Sequence, residues 1–180
     1  VVDYAKKNPG KLNCGTPGVG TAAHFVLELI NMNLGTKIVH VPYKEGTGAV
    51  AVAVLGGHID MGAMAASAAM PQVKAGKLRL LIGTSKLSDA PDAPTFQEKK
   101  LPQASIGIWL GYFAPAKTPK TVQDKLAAAF AKAIKYPDNV KKLAMMGFIA
   151  EYKPPQEFSE LIKSQLEIIA KAGKAAGIIK

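Results

Sequence analysis

Lys11-Leu12-Asn13-Cys14-Gly15-Thr16-Pro17-Gly18-Val19-Gly20-Thr21-Ala22-Ala23-His24-Phe25-Val26-Leu27-Glu28-Leu29-Ile30 decides the fold. Lys11 to Gly15 reads as a short strand that ends in a glycine. Thr16 to Thr21 is a tight, Gly-rich turn. Ala22 to Leu34 follows as a helix, with Ala22, Phe25, Val26, Leu29 and Ile30 along one face and Gly35 as its stop. Strand, turn and helix in this order open an α/β unit.

The chain continues in the same manner. Ile38 to Tyr43 is an apolar, β-branched run that reads as a buried strand. Gly46 to Leu55 fits a strand by propensity, but its spacing and the Gly56-Gly57 pair favour a helix. Ile59 to Met64 is a further strand, Ser67 to Ala75 a short helix bent near Pro71, and Leu78 to Thr84 a strand. Ser85 to Pro94 is a loop, and Ile106 to Ala114, which holds Trp109, is a long apolar strand. Short spacing between strands and helices argues a largely parallel sheet.

Beyond Pro115 the character changes. Thr118 as N-cap and Pro119 as first helical residue start a helix to about Lys135. A second helix begins near Pro137-Asp138 and ends before Gly147. Phe148 to Tyr152 is a short strand, and Pro155 to about Lys171 a third helix. The shift at Pro115 marks the best lobe boundary, and no internal repeat or low-complexity tract is present.

Composition narrows the function. With 180 residues, 48% of them apolar and 20% charged, the chain buries enough surface to fold without a metal or disulfide staple. One cysteine, Cys14, excludes an intrachain disulfide and a cysteine zinc site. Apolar stretches are broken well before the ~18 residues a bilayer span requires. The net charge of +10 resembles a nucleic-acid signal, but Arg79 is the one arginine among 23 basic residues and the lysines are dispersed. Base readout and planar phosphate clamping favour arginine, so we expect no nucleic-acid partner. Solubilising charge with long-range attraction for anions fits better.

The N-terminus, Val1 to Gly10, reads as the last turns of an amphipathic helix stopped by Asn8-Pro9-Gly10. No initiator methionine, N-cap or signal peptide precedes it. The expectation is a fragment or a processed product.

Chemistry concentrates at the Gly-rich turn. Gly15, Gly18 and Gly20 let the backbone approach a ligand, and a helix N-terminus offers unpaired N–H groups to an anion. Thr16, Thr21 and His24 add side-chain donors. A plain strand-to-helix turn reads the same way locally. The phosphate-loop and dinucleotide patterns are both incomplete. Tyr43-Lys44-Glu45-Gly46-Thr47-Gly48 forms a second Gly-containing turn on the same sheet edge, where ligands of open α/β sheets sit.

Asp60 sits in a strand and either lines a cleft or pairs with a lysine. His24, His40 and His58 are too far apart to predict a shared metal, and each reads as an ordinary histidine. Met61, Met64 and Met70 read as core. There is no Gly-x-Ser-x-Gly elbow, and Cys14 reads as a small buried residue. No cofactor or metal is expected.

The ordered motifs Asn8-Pro9-Gly10-Lys11-Leu12, Gly15-Thr16-Pro17-Gly18-Val19-Gly20-Thr21, Val39-His40-Val41-Pro42-Tyr43-Lys44, Leu55-Gly56-Gly57-His58-Ile59-Asp60-Met61 and Ala75-Gly76-Lys77-Leu78-Arg79 carry a resemblance. Pro94-Thr95, Trp109-Leu110-Gly111-Tyr112-Phe113-Ala114-Pro115 and Thr118-Pro119 extend it. From about Asn8 onward the chain is similar to the substrate-binding receptors of tripartite tricarboxylate transporters, the Bug-type periplasmic solute-binding proteins.

The resemblance implies a two-lobed, Venus-flytrap fold of the periplasmic-binding-protein type, type II-like, in an extracytoplasmic location. It also implies capture of a small carboxylic acid, held between loops of both lobes, for a membrane permease. Carried onto this chain, the ligand-binding residues are Thr16, Gly18, Val19, Gly20, Thr21 and His24, joined by Tyr43, Lys44, Asp60 and Ser67. Residues 1–108 would form one complete α/β lobe, and 109–180 the crossover strand and helical C-terminal part of the other, incomplete lobe.

Two departures stand out. The family's usual shape places roughly another lobe of chain, with a first-lobe ligand loop, ahead of Val1, outside this chain, and Glu45 replaces a glycine common in the family, which either disfavours multiply charged acids or faces solvent. An incomplete lobe would leave Val122, Leu126, Phe130, Leu161, Ile162, Leu166 and Ile169 short of cover. Pairing with a second copy or with an N-terminal fragment is then expected. Two rival readings are an α/β enzyme using the turn for a phosphate or acyl substrate, and a truncated remnant that binds nothing.

Overall fold

A computed structural model describes the chain apart from Ser88, Ser105, Gly107, Met146, Gly147, Lys180 and the side chain of Gln103. Sequence expectations at Ser88 (the 85–94 loop), Gly107 (the 106–114 strand) and Gly147 (a helix stop) lie outside the described residues. Two units are distinguished: Val1–Gly107 with Glu167–Lys180, and Ile108–Leu166.

The first unit is built on a sheet of three parallel strands. In chain order it contains α1 (Val2–Lys7), β1 (Asn13–Thr16), α2 (Ala22–Leu34), β2 (Val39–Pro42), α3 (Thr47–Leu55), β3 (Met61–Gly62) and α4 (Ala66–Lys74). Strand order is β2-β1-β3, so the Gly-rich turn leaves the central strand. Cys14 pairs with His40 on one side and Met61 on the other, and Gly15 with Val41 and Gly62.

Alternation along the strands divides the sheet into two faces. Cys14 points to one side and packs with Ala5 of α1, Leu27 of α2 and Ile38. Val41 packs on the other side with Val50 of α3 and Ile59. Gly15 and Gly62 let Ile59 and α3 come this close: a Cβ would stand 2.5 Å from Ile59 Cδ1 at Gly15 and 2.6 Å from Val50 Cγ1 at Gly62.

Helix α2 is covered on two sides. Leu27 faces the sheet, while Phe25 and Leu29 join Phe96, Ala104, Ile106 and Ala172 in a second cluster. Each large side chain so buried contributes ~1.5–3 kcal/mol. Thr21 caps its start by accepting the His24 N–H. Gly35, left-handed at φ 63°, closes its end with its N–H on the Asn31 carbonyl. Asn31 then fixes the chain into β2: its Oδ1 accepts from the Thr36 hydroxyl and the Ile38 N–H.

Several expectations give way here. Among the described residues Leu78 to Thr84 forms no strand: it makes a single parallel bridge, Gly83 to Thr95, with the Gly83 N–H on Pro94 O and the Phe96 N–H on Gly83 O. Among the described residues neither Ile106 to Ala114 nor Phe148 to Tyr152 contains a strand. Their β-branched and aromatic content suits a sheet, yet propensity without a ladder partner forms none. Pro119, not Thr118, is the N-cap of α5 (Lys120–Ala133). The end of the chain does not belong with 109–166. Glu167–Lys180 falls in the first unit, where Ala172 is fully buried and Ile169 packs on the Phe25 cluster.

The second unit holds α5, α6 (Pro137–Met145) and the first part of α7 (Pro155–Ala175). Tyr112 stacks on Phe130 with centroids 4.4 Å apart, and Trp109 meets Phe158 edge-on at 5.0 Å. The indole N–H of Trp109 donates to Gln165 Oε1 at 2.7 Å. Leu110, Tyr112 and Phe113 remain 68%, 82% and 75% exposed. Among the described residues no helix is long and apolar enough to cross a membrane.

Candidate functional site

Because the three strands run parallel, the segments that follow them leave one sheet edge. Each leads into a helix: Pro17–Thr21 into α2, Tyr43–Gly46 into α3, and Ala63–Ala65 into α4. Three helix N-termini therefore gather at the carboxyl edge of the sheet. The first turn of a helix leaves N–H groups without intrahelical partners. At α3 and α4 the cap residues are Gly46 and Ala65, which have no side chain to accept them. Among the described residues the amides of Thr47, Gly48, Ala49, Ala66 and Ser67 take no acceptor.

The Gly-rich turn differs, since it is internally tied. The Thr21 hydroxyl donates to Gly18 O at 2.8 Å and its oxygen accepts the His24 N–H. The Gly20 N–H donates to His24 Nδ1 at 3.1 Å, and the Gly18 N–H to Thr16 Oγ1 at 3.3 Å. Val19, Ala22 and Ala23 keep open amides among the described residues, and Val19 is 66% exposed. Neighbouring segments lock the turn to the sheet, with Tyr43 N–H on Thr16 O at 2.8 Å and Ala63 N–H on Gly15 O at 2.9 Å.

The expected residues separate into three groups. Thr16, Gly18, Val19, Gly20, Thr21 and His24 come together in this turn. Tyr43, Lys44 and Ser67 lie on the same edge. Tyr43 is half-buried, its ring packed over Gly15, whereas Lys44, Glu45 and Ser67 are exposed.

Asp60 belongs elsewhere. Its Oδ2 accepts the Asn13 N–H and its own N–H donates to Asn13 Oδ1, both at 2.9 Å, at the start of β1. Three residue steps along β1, ~10 Å at ~3.3 Å each, separate Asn13 from Thr16. There it lines an apolar hollow of about 410 Å³ with Val1, Tyr4, Leu12, Met61 and Leu81. A reciprocal backbone clamp with Asn13 holds this carboxylate, at the end of the sheet away from the turn.

One residue at the site escaped the sequence. His40 stacks on His24 with centroids 3.8 Å apart and rings 15° from parallel, and its Nε2 lies 2.6 Å from Thr16 Oγ1. Val41 packs toward α3, so its neighbour His40 must face α2. The period of two along β2 carried that signal. Burial holds both imidazoles below their ordinary pKa, and His24 depresses His40 further while Glu28 partly offsets the effect on His24. Cys14 is buried, and loss of solvent pushes its thiol up to about 11, far from a nucleophile at neutral pH. Among the described residues no group of three His, Cys, Asp or Glu side chains is placed to hold a metal.

Residues 1–177 match the family of tripartite tricarboxylate transporter receptors. The chain belongs to this family. A UPF0065 protein in the gbd 5′ region of Cupriavidus necator is 36% identical over 184 aligned residues, spanning 97% of this chain and 54% of that protein. A solved periplasmic transporter is 35% identical with a TM-score of 0.79, over 98% of this chain and 59% of its own. MatC from Rhodopseudomonas palustris, solved with bound malate, is 26% identical with a TM-score of 0.65, over 96% of this chain and 59% of its own. The fold is thus that of the receptor family's periplasmic binding proteins, and the chain spans about half the length of the curated relatives it matches.

Proposed function

We propose that this chain is the ligand-holding part of a noncatalytic, extracytoplasmic receptor that captures a small carboxylic acid and presents it to a tripartite tricarboxylate-type permease. One observation carries the reading: open main-chain amides of three helix N-termini converge on one sheet edge in a chain of this family. A carboxylate there gains hydrogen bonds and ~0.3–1 kcal/mol from each helix terminus, up to ~2 where partly buried. Lys44 adds positive charge, and Glu45 beside it weighs against a high ligand charge. MatC, a relative of similar fold, holds malate.

The contacting groups in this reading are Thr16, Gly18, Val19, Gly20 and Thr21, with Tyr43, Lys44 and Ser67 around them. The exposed apolar side chains of the second unit are read as a face that further protein covers in the working receptor. Isothermal titration with malate and succinate, and crystal soaks with either, test the function. Saturable binding with density at the Thr16–Thr21 turn is expected, unchanged by Cys14→Ser. An ordered anion seated repeatedly elsewhere, or a hydrolase activity lost in Cys14→Ser, would overturn it.

A further inference from the structure

The Thr16–Thr21 turn has two ends, and one imidazole reaches each. His40, from β2, touches Thr16 Oγ1 at the strand end; His24, from α2, accepts the Gly20 N–H at the tip. The rings lie against each other at 3.8 Å, so the two attachments form one connected unit. We propose that His24 and His40 are positioning residues that clasp the Gly-rich turn at both ends, and that the clasp closes only while the His24 ring is uncharged. Its effect on ligand rests on the carboxylate reading of this turn; the clasp itself does not.

The hydrogen bond from Gly20 dictates the charge state of His24. Gly20 N–H points at His24 Nδ1, which must offer a lone pair. The neutral ring is then the Nε2–H tautomer, with Nε2 turned toward Glu28 Oε1 at 3.7 Å. A proton on Nδ1 would set donor against donor and release Gly20. Two imidazolium rings stacked this closely would also repel. The charged groups acting on the pair are few: Glu28 of α2 on His24, and His24 on His40. From β1, the groups nearest are the Thr16 hydroxyl and Cys14, the register partner of His40, which stays a thiol.

Opening the clasp frees Gly18 to Gly20 and so misplaces the open amide of Val19. Mild acid should therefore weaken anion capture even though it adds positive charge nearby. Nitrogen-15 NMR on the ligand-free chain from pH 8 to 4.5 tests the clasp directly. The Gly20 amide shift should follow the His24 titration, with His24 as the Nε2–H tautomer at high pH. His40→Ala should speed amide exchange at Val19 and Gly20 at least tenfold. His40→Gln, which keeps an N–H for Thr16 but no ring to stack, should fall between.

A Gly20 amide indifferent to His24, an Nδ1–H tautomer, or exchange within twofold in His40→Ala would overturn the proposal. Malate titration at pH 7.5 and 5.5, corrected for malate's own ionisation, gives the second reading. Affinity should fall at least threefold at pH 5.5, and that dependence should vanish in His40→Ala. Tighter binding at pH 5.5 would overturn the proton link. No malate binding at either pH would count against the carboxylate function, with the amide data still judging the clasp.

Discussion

Asn13 and Asp60 hold each other's backbone. The Asn13 side chain accepts the Asp60 N–H and the Asp60 carboxylate accepts the Asn13 N–H, closing a two-bond ring between the start of β1 and the entry to β3. This end of the sheet is opposite the Gly-rich turn. Asp60→Ala should cost ~1–2 kcal/mol of stability, as expected for a charged acceptor on a backbone amide at an exposed site. Ligand affinity should change less than twofold. Urea unfolding beside calorimetric titration separates the two, and a large loss of affinity with unchanged stability would return Asp60 to the binding site.

Two glycines on the binding edge should respond oppositely to alanine. Gly18 adopts φ 142°, a conformation side chains rarely take, so Gly18→Ala should destabilise by ~1–3 kcal/mol. Gly48 lies in the first turn of α3 with open space around it and an ordinary backbone. Gly48→Ala should stabilise by ~0.5–1 kcal/mol through the unfolded state. Urea midpoints of the two variants check the pair.

How much was legible follows from what each element depends on. Helix α2 was readable to the residue, since Thr21 and Gly35 are local signals and its apolar spacing is its own. The strands predicted at Leu78–Thr84 and Ile106–Ala114 depended on a partner, and nothing local reveals whether one exists. His40 was hidden for a related reason. Its role arises from the parallel pairing that sets β2 beside β1 and from α2 lying over that face, both nonlocal. The clamp made by Asp60 was hidden likewise, because the backbone amide it serves, at Asn13, lies 47 residues away in sequence.

Stability should depend on pH through the two stacked histidines. Both bind protons less readily in the native protein than in the unfolded chain, where imidazole titrates near ~6.5. Their contribution is thus complete above that value and is lost as pH falls through the native, lower pKa values. The urea midpoint should drop between pH 7.5 and 5.0, and a His24→Gln, His40→Gln double variant should show a smaller drop. An equal drop in both proteins would assign the effect to other groups.

The second unit predicts association. Leu110, Tyr112 and Phe113 are largely exposed, and Val122, Leu126 and Phe130 on α5 are 44%, 42% and 37% exposed. Burying each large side chain is worth ~1.5–3 kcal/mol. Light scattering of the 180-residue chain should therefore show self-association that Tyr112→Ser with Phe113→Ser reduces. A strict monomer with micromolar malate affinity would mean that this face needs no cover.

The open donors at the carboxyl edge of the sheet belong to the main chain. Substitution can reshape Val19, Lys44 or Ser67 without deleting a single amide, short of proline. Under the proposed carboxylate reading, a mutating receptor of this build can drift from one acid to another while its grip on the carboxyl group stays intact. Ligand identity and ligand retention become separately evolvable, and a laboratory seeking a new specificity should vary the side chains around Gly46 and Ala65 and leave the turn from Thr16 to Thr21 untouched.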